Sequence, residues 1–324
     1  MARRALITGV TGQDGSYLAE LLAARDYEVW GALRGSPEAD HPNLDAVRER
    51  IELVTCDVVD PTAIEATLRA CRPHEVYHLA GISFVPRSWE KPLETIEVNA
   101  GAVTALLEAV RTVTPEARVF SAASGEMFGD APESPQREDT PCRPRTPYAI
   151  AKLHAHLTIG AYRRHHGLHA SSGIAFNHES VRRPAEFVTR KVTRTAAAIK
   201  LGLEDELVLG DLDAVRDWGY APDFVEAMWL MLAQEEPDDY VIATGTGHTV
   251  RELAEAAFAS VGLDADAHLR VDPDLVRPRE RVLSIGDPAK ARTRLGWTPT
   301  TPFSRMLAEM VQIDLRALAP AEAS

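Results

Sequence analysis

The chain opens with an apolar strand candidate, RALIT at residues 4–8, that runs directly into a glycine-rich turn and then into a helical stretch at 16–25. The turn reads GVTGQDG, a G-x-x-G-x-x-G spacing. Glycines at such a turn let the backbone bend tightly and approach a ligand closely, and the N-terminus of the next helix attracts an anion. This order of strand, turn and helix predicts a parallel α/β sheet with a dinucleotide pyrophosphate held by Gly9, Thr11, Gly12, Gln13, Asp14 and Gly15.

Strand and helix candidates continue to alternate after this turn. Strands are predicted at 27–33, 51–57, 76–81, 118–124 and 170–176, and helices at 61–71, 94–113 and 146–167. The alternation predicts a Rossmann-type doubly wound parallel sheet over residues 1–176. The pattern is looser over 177–324, which we interpret as a smaller C-terminal α/β substrate-binding lobe interwoven with the first. Helices are predicted there at 187–202, 222–235, 249–262 and 303–318.

Composition disfavours several classes of partner. The formal net charge of −13 argues against nucleic acid, because phosphate backbones attract basic proteins. No apolar run approaches the roughly 20 residues that span a bilayer, so no membrane partner is expected. Cys56, Cys71 and Cys142 are few and far apart, which predicts no metal site and favours a reducing, cytoplasmic location.

Cofactor choice is predicted from the end of the second strand. Arg34 follows this strand, and no acidic residue occurs before Glu38. An acidic residue there would bind the ribose 2′-hydroxyl of NAD, whereas an arginine suits the 2′-phosphate of NADP. We therefore predict NADP, with Asp57 and Val58 at the adenine edge.

Two further patterns predict catalysis. Tyr148 and Lys152 are four residues apart on a predicted helix and so share one face, and Lys152 is one of only five lysines among the 35 basic residues. A lysine beside a tyrosine lowers the pKa of the phenol, which can then act as a base towards an alcohol. Ser124 and Glu126 follow a strand, at the sheet edge where open α/β folds bind ligands. A carboxylate there indicates a second proton transfer, such as removal of a C–H proton beside a ketone and loss of a hydroxyl.

From ALITGVTGQDGSYLAELL to LGWTPTTPF the chain resembles the extended short-chain dehydrogenase/reductases, and among them the GDP-mannose 4,6-dehydratase family. The most specific stretches are GEMFG, RTPYAIAK, FNHES, EFVTRK, RDWGYAPDFVEAMW and DDYVIATG. The resemblance implies a hydro-lyase whose NADP stays bound and is regenerated in each turnover. It implies that Tyr148, supported by Lys152, takes the C4 hydroxyl proton of GDP-mannose, with Ser124 in place of the family's threonine. Glu126 then takes the C5 proton and helps to expel the C6 hydroxyl as water.

The resemblance also implies the remaining binding residues. Leu79 joins Tyr148 and Lys152 at the cofactor. The substrate residues that it implies are Ser83, Asn177, Val188, Lys191, Arg216, Arg277 and Glu280. Helices 94–113 and 146–167 are expected to pair between subunits into a four-helix bundle, giving a homodimer or a homotetramer.

Several positions depart from the family pattern and leave the exact sugar open. They are His78, Gly81, Ile82, Gly125, Val181, Pro184 and Val215. Three alternatives therefore stand beside the dehydration of GDP-mannose: a 4,6-dehydratase of a related GDP-hexose, a GDP-sugar 4-epimerase, and a non-catalytic nucleotide-binding protein. Intact Ser124, Glu126, Tyr148 and Lys152 argue against the last, and Glu126 argues against simple epimerisation.

Overall fold

A computed structural model describes residues 2–275 and 283–319 of the chain. Its strands are β1 Arg4–Thr8, β2 Glu28–Leu33, β3 Ile51–Thr55, β4 Glu75–His78, β5 Arg118–Ser124, β6 Ala170–Ala175, β7 Asn177–Glu179, β8 Leu207–Leu209, β9 Val215–Tyr220, β10 Tyr240–Ile242, β11 Gly247–Thr249 and β12 Leu269–Val271. A seven-stranded parallel sheet has the order β10-β6-β5-β4-β1-β2-β3. This sheet confirms the predicted Rossmann-type fold.

Helices cover both faces of this sheet and also build a second layer. They are α1 Gln13–Ala24, α2 Pro61–Cys71, α3 Val85–Glu90, α4 Pro92–Ile96, α5 Ala102–Val113, α6 Pro147–His166, α7 Val188–Lys200, α8 Ala221–Ala233, α9 Val250–Ala259, α10 Ala289–Leu295 and α11 Phe303–Leu318. Short 3₁₀ turns lie at Pro42–Leu44, Arg48–Arg50, Gly125–Phe128, Ala265–Ala267 and Pro273–Leu275. No helix in the described ranges is both long and apolar enough to cross a bilayer.

The two faces follow from the alternation of side chains along a strand. Ile7 of β1 packs with α1 and α8, whereas its neighbour Leu6 packs with α2, α5 and α6 on the opposite face. A strand buried on both sides is largely apolar, as Ala5, Leu6 and Ile7 are, and the buried hydroxyl of Thr8 at its end is hydrogen-bonded to His78 at 2.9 Å.

The long helix predicted at 94–113 is divided. A π-helical turn at Glu97–Gly101 separates α4 from α5. It carries Asn99, a buried polar side chain that faces the carboxyl end of the sheet through the loop after β4. π turns of this kind are frequent at functional sites.

The strand order reverses at β1, which lies between β2 and β4. In open α/β sheets, ligands bind in the crevice outside the carboxyl ends of the strands at such a point. The glycine-rich turn follows β1, the segment 79–83 follows β4, and Ser124 ends β5, so the fold gathers these predicted site residues at one edge.

A second layer is built largely from residues after β6. The strands β11, β9 and β7 form a small sheet, and β12 pairs with β8. Trp218 of β9, Val192 of α7, Leu253 of α9 and Met310 of α11 share one apolar cluster. The chain then returns to the large sheet, because α8 packs against α1 and β10 pairs with β6. The boundary at 176/177 stays a prediction.

Candidate active site

The glycine-rich turn forms an open cradle at the start of α1. Gly9 has a φ of +71°, and a Cβ there would lie 2.7 Å from the Ala80 nitrogen. A Cβ on Gly15 would lie 2.7 Å from the Val10 Cα. Side chains at these positions would collide with the backbone that shapes the turn, so the glycines present fit a tight cradle in which backbone N–H groups can approach a dinucleotide pyrophosphate.

The other predicted cofactor residues lie around this cradle. Arg34 is exposed just after β2, and Leu79 is half-buried just after β4. Asp57 and Val58 follow β3, where the Asp57 carboxylate accepts a hydrogen bond of 3.2 Å from the Val59 N–H. The loop after β2 is held to the same edge, because Asn43 Nδ2 donates to the Thr11 carbonyl at 3.0 Å.

Tyr148, Ser124 and Glu126 are brought together at the carboxyl end of β5. Thr146 caps α6 by accepting a hydrogen bond from the Ala149 N–H at 3.1 Å, which sets Tyr148 in the first turn. The Tyr148 hydroxyl is hydrogen-bonded to Ser124, and Ser124 Oγ accepts from the Glu126 N–H at 3.2 Å. The arrangement puts a phenol, a hydroxyl and a carboxylate in one group.

Burial raises the pKa of Tyr148 to about 12. The hydrogen bond from Ser124 and the positive charge of Arg183 act in the opposite direction, while the negative charge of Glu126 adds to the rise. A phenol in this environment needs additional positive charge before it can act as a base near neutral pH.

Lys152 lies one helical turn after Tyr148. Its Nζ donates to the Ala122 carbonyl at 2.8 Å and lies 5.9 Å from the centroid of the Tyr148 ring. Burial lowers the pKa of Lys152 to about 8, and the negative charge of Asp14 opposes that change.

Asn99 belongs to this site although sequence reasoning missed it. Its side chain accepts from the Ile82 N–H and donates to the Ile82 carbonyl, each at 2.9 Å. This fixes the segment after β4, and a Cβ on Gly81 would lie 2.7 Å from Asn99 Oδ1. An amide flanked by Val98 and Ala100 within a predicted helix was the available signal.

Two departures from the family pattern have a local explanation. Gly81 leaves room for Asn99, as described above. A Cβ on Gly125 would lie 3.2 Å from the Phe176 ring, so a larger residue at 125 would require that ring to move.

A second group of charged residues, also missed, joins the cofactor turn to β7. The Asp14 carboxylate lies 2.9 Å from His178 Nε2, and Gln13 Nε2 donates to the His178 carbonyl at 3.0 Å. Arg183 lies with its guanidinium over the Phe187 ring at 3.7 Å and its Nε 3.4 Å from a Glu179 oxygen. The spacing of Glu179 and Arg183, four residues apart beside FNHES, was the only local signal for the second pair.

The predicted substrate residues are placed as follows. Asn177 begins β7 two residues after Ala175, which pairs with Ser124 across the sheet. Arg216 lies on the neighbouring strand β9, where its Nη1 donates to the Val215 carbonyl at 2.8 Å. Lys191 is exposed on α7 one turn after Val188, and its Nζ donates to the Val208 carbonyl at 2.8 Å.

Ser83 is exposed in the loop after β4. Arg277 and Glu280 lie outside the described residues. In the part of the chain that the structure describes, no group of histidine, cysteine and carboxylate side chains is arranged to hold a metal ion.

Comparison with known proteins gives consistent matches over nearly the whole chain. The model of the GDP-mannose 4,6 dehydratase family matches residues 6–310. GDP-mannose 4,6 dehydratase 2 of Arabidopsis thaliana is 44% identical over 323 residues, which cover 96% of this chain and 86% of that protein. GDP-mannose 4,6-dehydratase of Vibrio cholerae is 40% identical over 352 residues, covering 98% of this chain and 95% of the other.

Solved structures share the fold. The dTDP-glucose 4,6-dehydratase DesIV of Streptomyces venezuelae, with NAD bound, superposes with a TM-score of 0.85 at 25% identity and 97% coverage of both chains. UDP-glucose 4-epimerase of Thermus thermophilus, in complex with NAD, gives a TM-score of 0.84 at 28% identity, covering 98% of this chain and 100% of the other. Both carry a nicotinamide dinucleotide, the class of cofactor that the glycine cradle fits.

Proposed function

The chain belongs to the GDP-mannose 4,6-dehydratase family, and we propose that it converts GDP-mannose to GDP-4-keto-6-deoxymannose with a retained NADP. The observation that carries this proposal is the group of Tyr148, Ser124 and Glu126 at the carboxyl ends of the strands of the large sheet. An alcohol oxidation alone needs the tyrosine and the serine, whereas elimination of water also needs a carboxylate.

When bound, the nicotinamide supplies hydride chemistry, accepting from C4 and returning to C6 of the sugar. Tyr148 takes the proton of the C4 hydroxyl, and Ser124 hydrogen-bonds the same oxygen. Lys152 and Arg183 supply the positive charge that a buried phenolate requires. Glu126 removes the C5 proton, acidified by the neighbouring ketone, and protonates the departing C6 hydroxyl.

The choice of NADP rests on the end of β2. Arg34 is exposed there and available to a 2′-phosphate, and the strand ends without an acidic residue. Asp57, Val58 and Leu79 flank the adenine and nicotinamide sides of the same crevice.

The GDP moiety is assigned to the small sheet and the start of α7. Asn177 and Arg216 lie on adjacent strands and would face the diphosphate, while Val188 and Lys191 would face the guanine. Ser83, exposed on the loop after β4, is assigned to the same ligand. Arg277 and Glu280 are kept as further contacts to the nucleotide on the strength of the resemblance.

The assembly that we propose is a homodimer or homotetramer built on α5 and α6. A groove along these helices is lined by Ile96, Ala100, Thr104, Ala105, Ile150 and His154. Ile150 and Leu157, two turns apart on α6, are 52% and 59% exposed. An apolar stripe of this kind on two adjacent helices suits pairing with a second copy. A cytoplasmic location stays a prediction from the sequence.

The test is to incubate the purified protein with GDP-mannose and measure the product by mass spectrometry. A product lighter by one water supports the proposal. An isomeric GDP-sugar of unchanged mass would identify a 4-epimerase instead, and conversion of another GDP-hexose in preference to GDP-mannose would change the substrate.

A further inference from the structure

The cofactor cradle and the sheet that carries Asn177 and Arg216 are joined by a partly buried ion pair, Asp14 with His178. We propose that His178 is a positioning residue that couples the two sites, so that a bound dinucleotide strengthens the binding of the nucleoside diphosphate on the other side. The inference rests on the proposed function for the identity of the two ligands.

The geometry favours a positive charge on the His178 ring. Its Nδ1 lies 2.7 Å from the Phe176 carbonyl oxygen and its Nε2 lies 2.9 Å from the Asp14 carboxylate. The carbonyl oxygen accepts, and so do the Asp14 oxygens while that group is ionised, so an imidazolium, with hydrogen on both ring nitrogens, satisfies both contacts. The ring also stacks on Phe224 of α8, with centroids 4.7 Å apart, which holds its plane.

The contact is one part of a continuous link between two elements. Gln13 Nε2 donates to the His178 carbonyl at 3.0 Å, and Ser180 Oγ donates to Gln13 Oε1 at 2.8 Å. The first turn of α1 is therefore bonded to β7 through both backbone and side chains.

On the far side of this link lies the predicted diphosphate site. Asn177 immediately precedes His178 on β7, and β7 pairs in parallel with β9, which carries Arg216. A shift of the His178 backbone therefore moves Asn177 directly and moves the paired residues Trp218 and Gly219, which follow Arg216 on β9.

On the near side, the pair solves an electrostatic problem. Asp14 places a carboxylate in the first turn of the helix whose N-terminus is the cradle for a pyrophosphate. An unpaired carboxylate would repel that anion, and the imidazolium of His178 neutralises it. Anion binding at the cradle and the position of β7 therefore depend on the same ion pair.

Other titratable and charged groups lie around the pair. Arg183 lowers the pKa of Asp14, which favours the carboxylate, but it also lowers the pKa of His178, which opposes the imidazolium. The negative charge of Asp14 raises the pKa of Glu179, Tyr148 and Lys152, and the positive charge of His178 lowers that of Glu179. Although burial opposes both changes, the pKa of Asp14 is lowered to about 2 by His178, and Asp14 raises the pKa of His178.

Linkage gives the pH range in which the pair stabilises the fold. The His178 contribution is present in full below the unfolded pKa of 6.5 and is lost as pH rises through the raised folded value. The Asp14 contribution is present above its ordinary value of 3.8 and is lost as pH falls to about 2. The Tm difference between wild type and His178→Asn should thus be largest between these two ordinary values.

The decisive experiment measures GDP binding by calorimetry to protein loaded with NADP⁺ and to stripped protein. Coupling between sites is typically at least about fivefold, so wild type should bind GDP at least about five times more tightly when loaded. His178→Asn should bring the ratio of the two affinities close to one. His178→Asn should also retain NADP⁺ less well, because it leaves the Asp14 carboxylate unpaired. The double variant Asp14→Asn/His178→Asn removes that carboxylate, so NADP⁺ retention should recover while the ratio of GDP affinities stays near one.

His156→Asn is the matched control. His156 is a partly buried histidine outside the cradle, and its Nδ1 is hydrogen-bonded to Ser172 Oγ at 3.0 Å. The control variant should keep the wild-type ratio. The proposal is overturned if wild type binds GDP equally tightly with and without NADP⁺, or if His178→Asn keeps the wild-type ratio of affinities. It is also overturned if His156→Asn lowers that ratio as much as His178→Asn does. NMR of the stripped protein gives a check without variants, since a neutral His178 ring at pH 6 would contradict the assignment.

These binding results are independent of turnover. Dehydration of GDP-mannose without coupling would refute this inference alone, whereas coupled binding without dehydration would refute the proposed function alone.

Discussion

The apolar stripe on α6 makes a quantitative prediction about assembly. Replacing Ile150 and Leu157 together by serine removes the two most exposed large apolar side chains of that helix. If α5 and α6 pair across a two-fold axis, the interface buries both side chains of both subunits, four side chains in all. The double variant should therefore dissociate far more readily than wild type.

The magnitude follows from the exposed fractions. Complete burial of a leucine or isoleucine contributes about 1.5–3 kcal/mol, and 52% of Ile150 and 59% of Leu157 remain to be buried. Each side chain then contributes roughly 1 kcal/mol, and the four copies in a dimer roughly 4 kcal/mol. At about 1.4 kcal/mol per factor of ten, the dissociation constant should rise on the order of 500- to 1000-fold.

Sedimentation velocity over a range of micromolar concentrations measures this change. The matched control is Leu203→Ser/Val271→Ser, which alters side chains of comparable exposure, 59% and 51%, away from α5 and α6. It should sediment as wild type does. A monomeric wild type, or equal dissociation constants for the two double variants, would refute the helix-pair interface.

The other predictions concern the site. Tyr148→Phe should abolish oxidation at C4, whereas Glu126→Gln should slow elimination more, leaving transient NADPH absorbance; equal loss of both steps in both variants would contradict separate roles. The protein should purify with NADP(H), identified after denaturation, and Arg34→Ala should narrow the preference for NADP over NAD; bound NAD alone would contradict the assignment. Lys191 and Arg216 should select GDP-sugars, so turnover of UDP-glucose or dTDP-glucose as fast as GDP-mannose would show the guanine-side assignment to be wrong.

Local patterns in the sequence were sufficient to predict the glycine-rich turn and the shared helix face of Tyr148 and Lys152. The strand, turn and helix around Gly9 are contiguous, and Tyr148 and Lys152 are related by one helical turn, so their proximity follows from secondary structure alone. The placement of Ser124 beside Tyr148 required only the rule that strand ends meet at one edge.

The small sheet could not be predicted in the same way. β7 has three residues and β9 has six. Both carry charged side chains that make specific contacts, so neither shows the alternation of apolar and polar residues that predicts a strand. The Asp14–His178 pair joins residues 164 apart in the chain, and neither neighbourhood contains a signal for the other. Long-range polar contacts of this type are set by tertiary structure, which periodicity does not encode.

The return of the chain to the large sheet has a consequence for synthesis. β6 ends at Ala175, but its outer neighbour β10 ends at Ile242. At a translation rate of about 5–20 residues per second, the outer edge of β6 stays without its partner strand for roughly 3–13 s after it has been made. Bare strand edges template aggregation, so the nascent chain is most vulnerable in this interval. The ribosome must deliver β7 and β9 of the small sheet before β10 can close the large one.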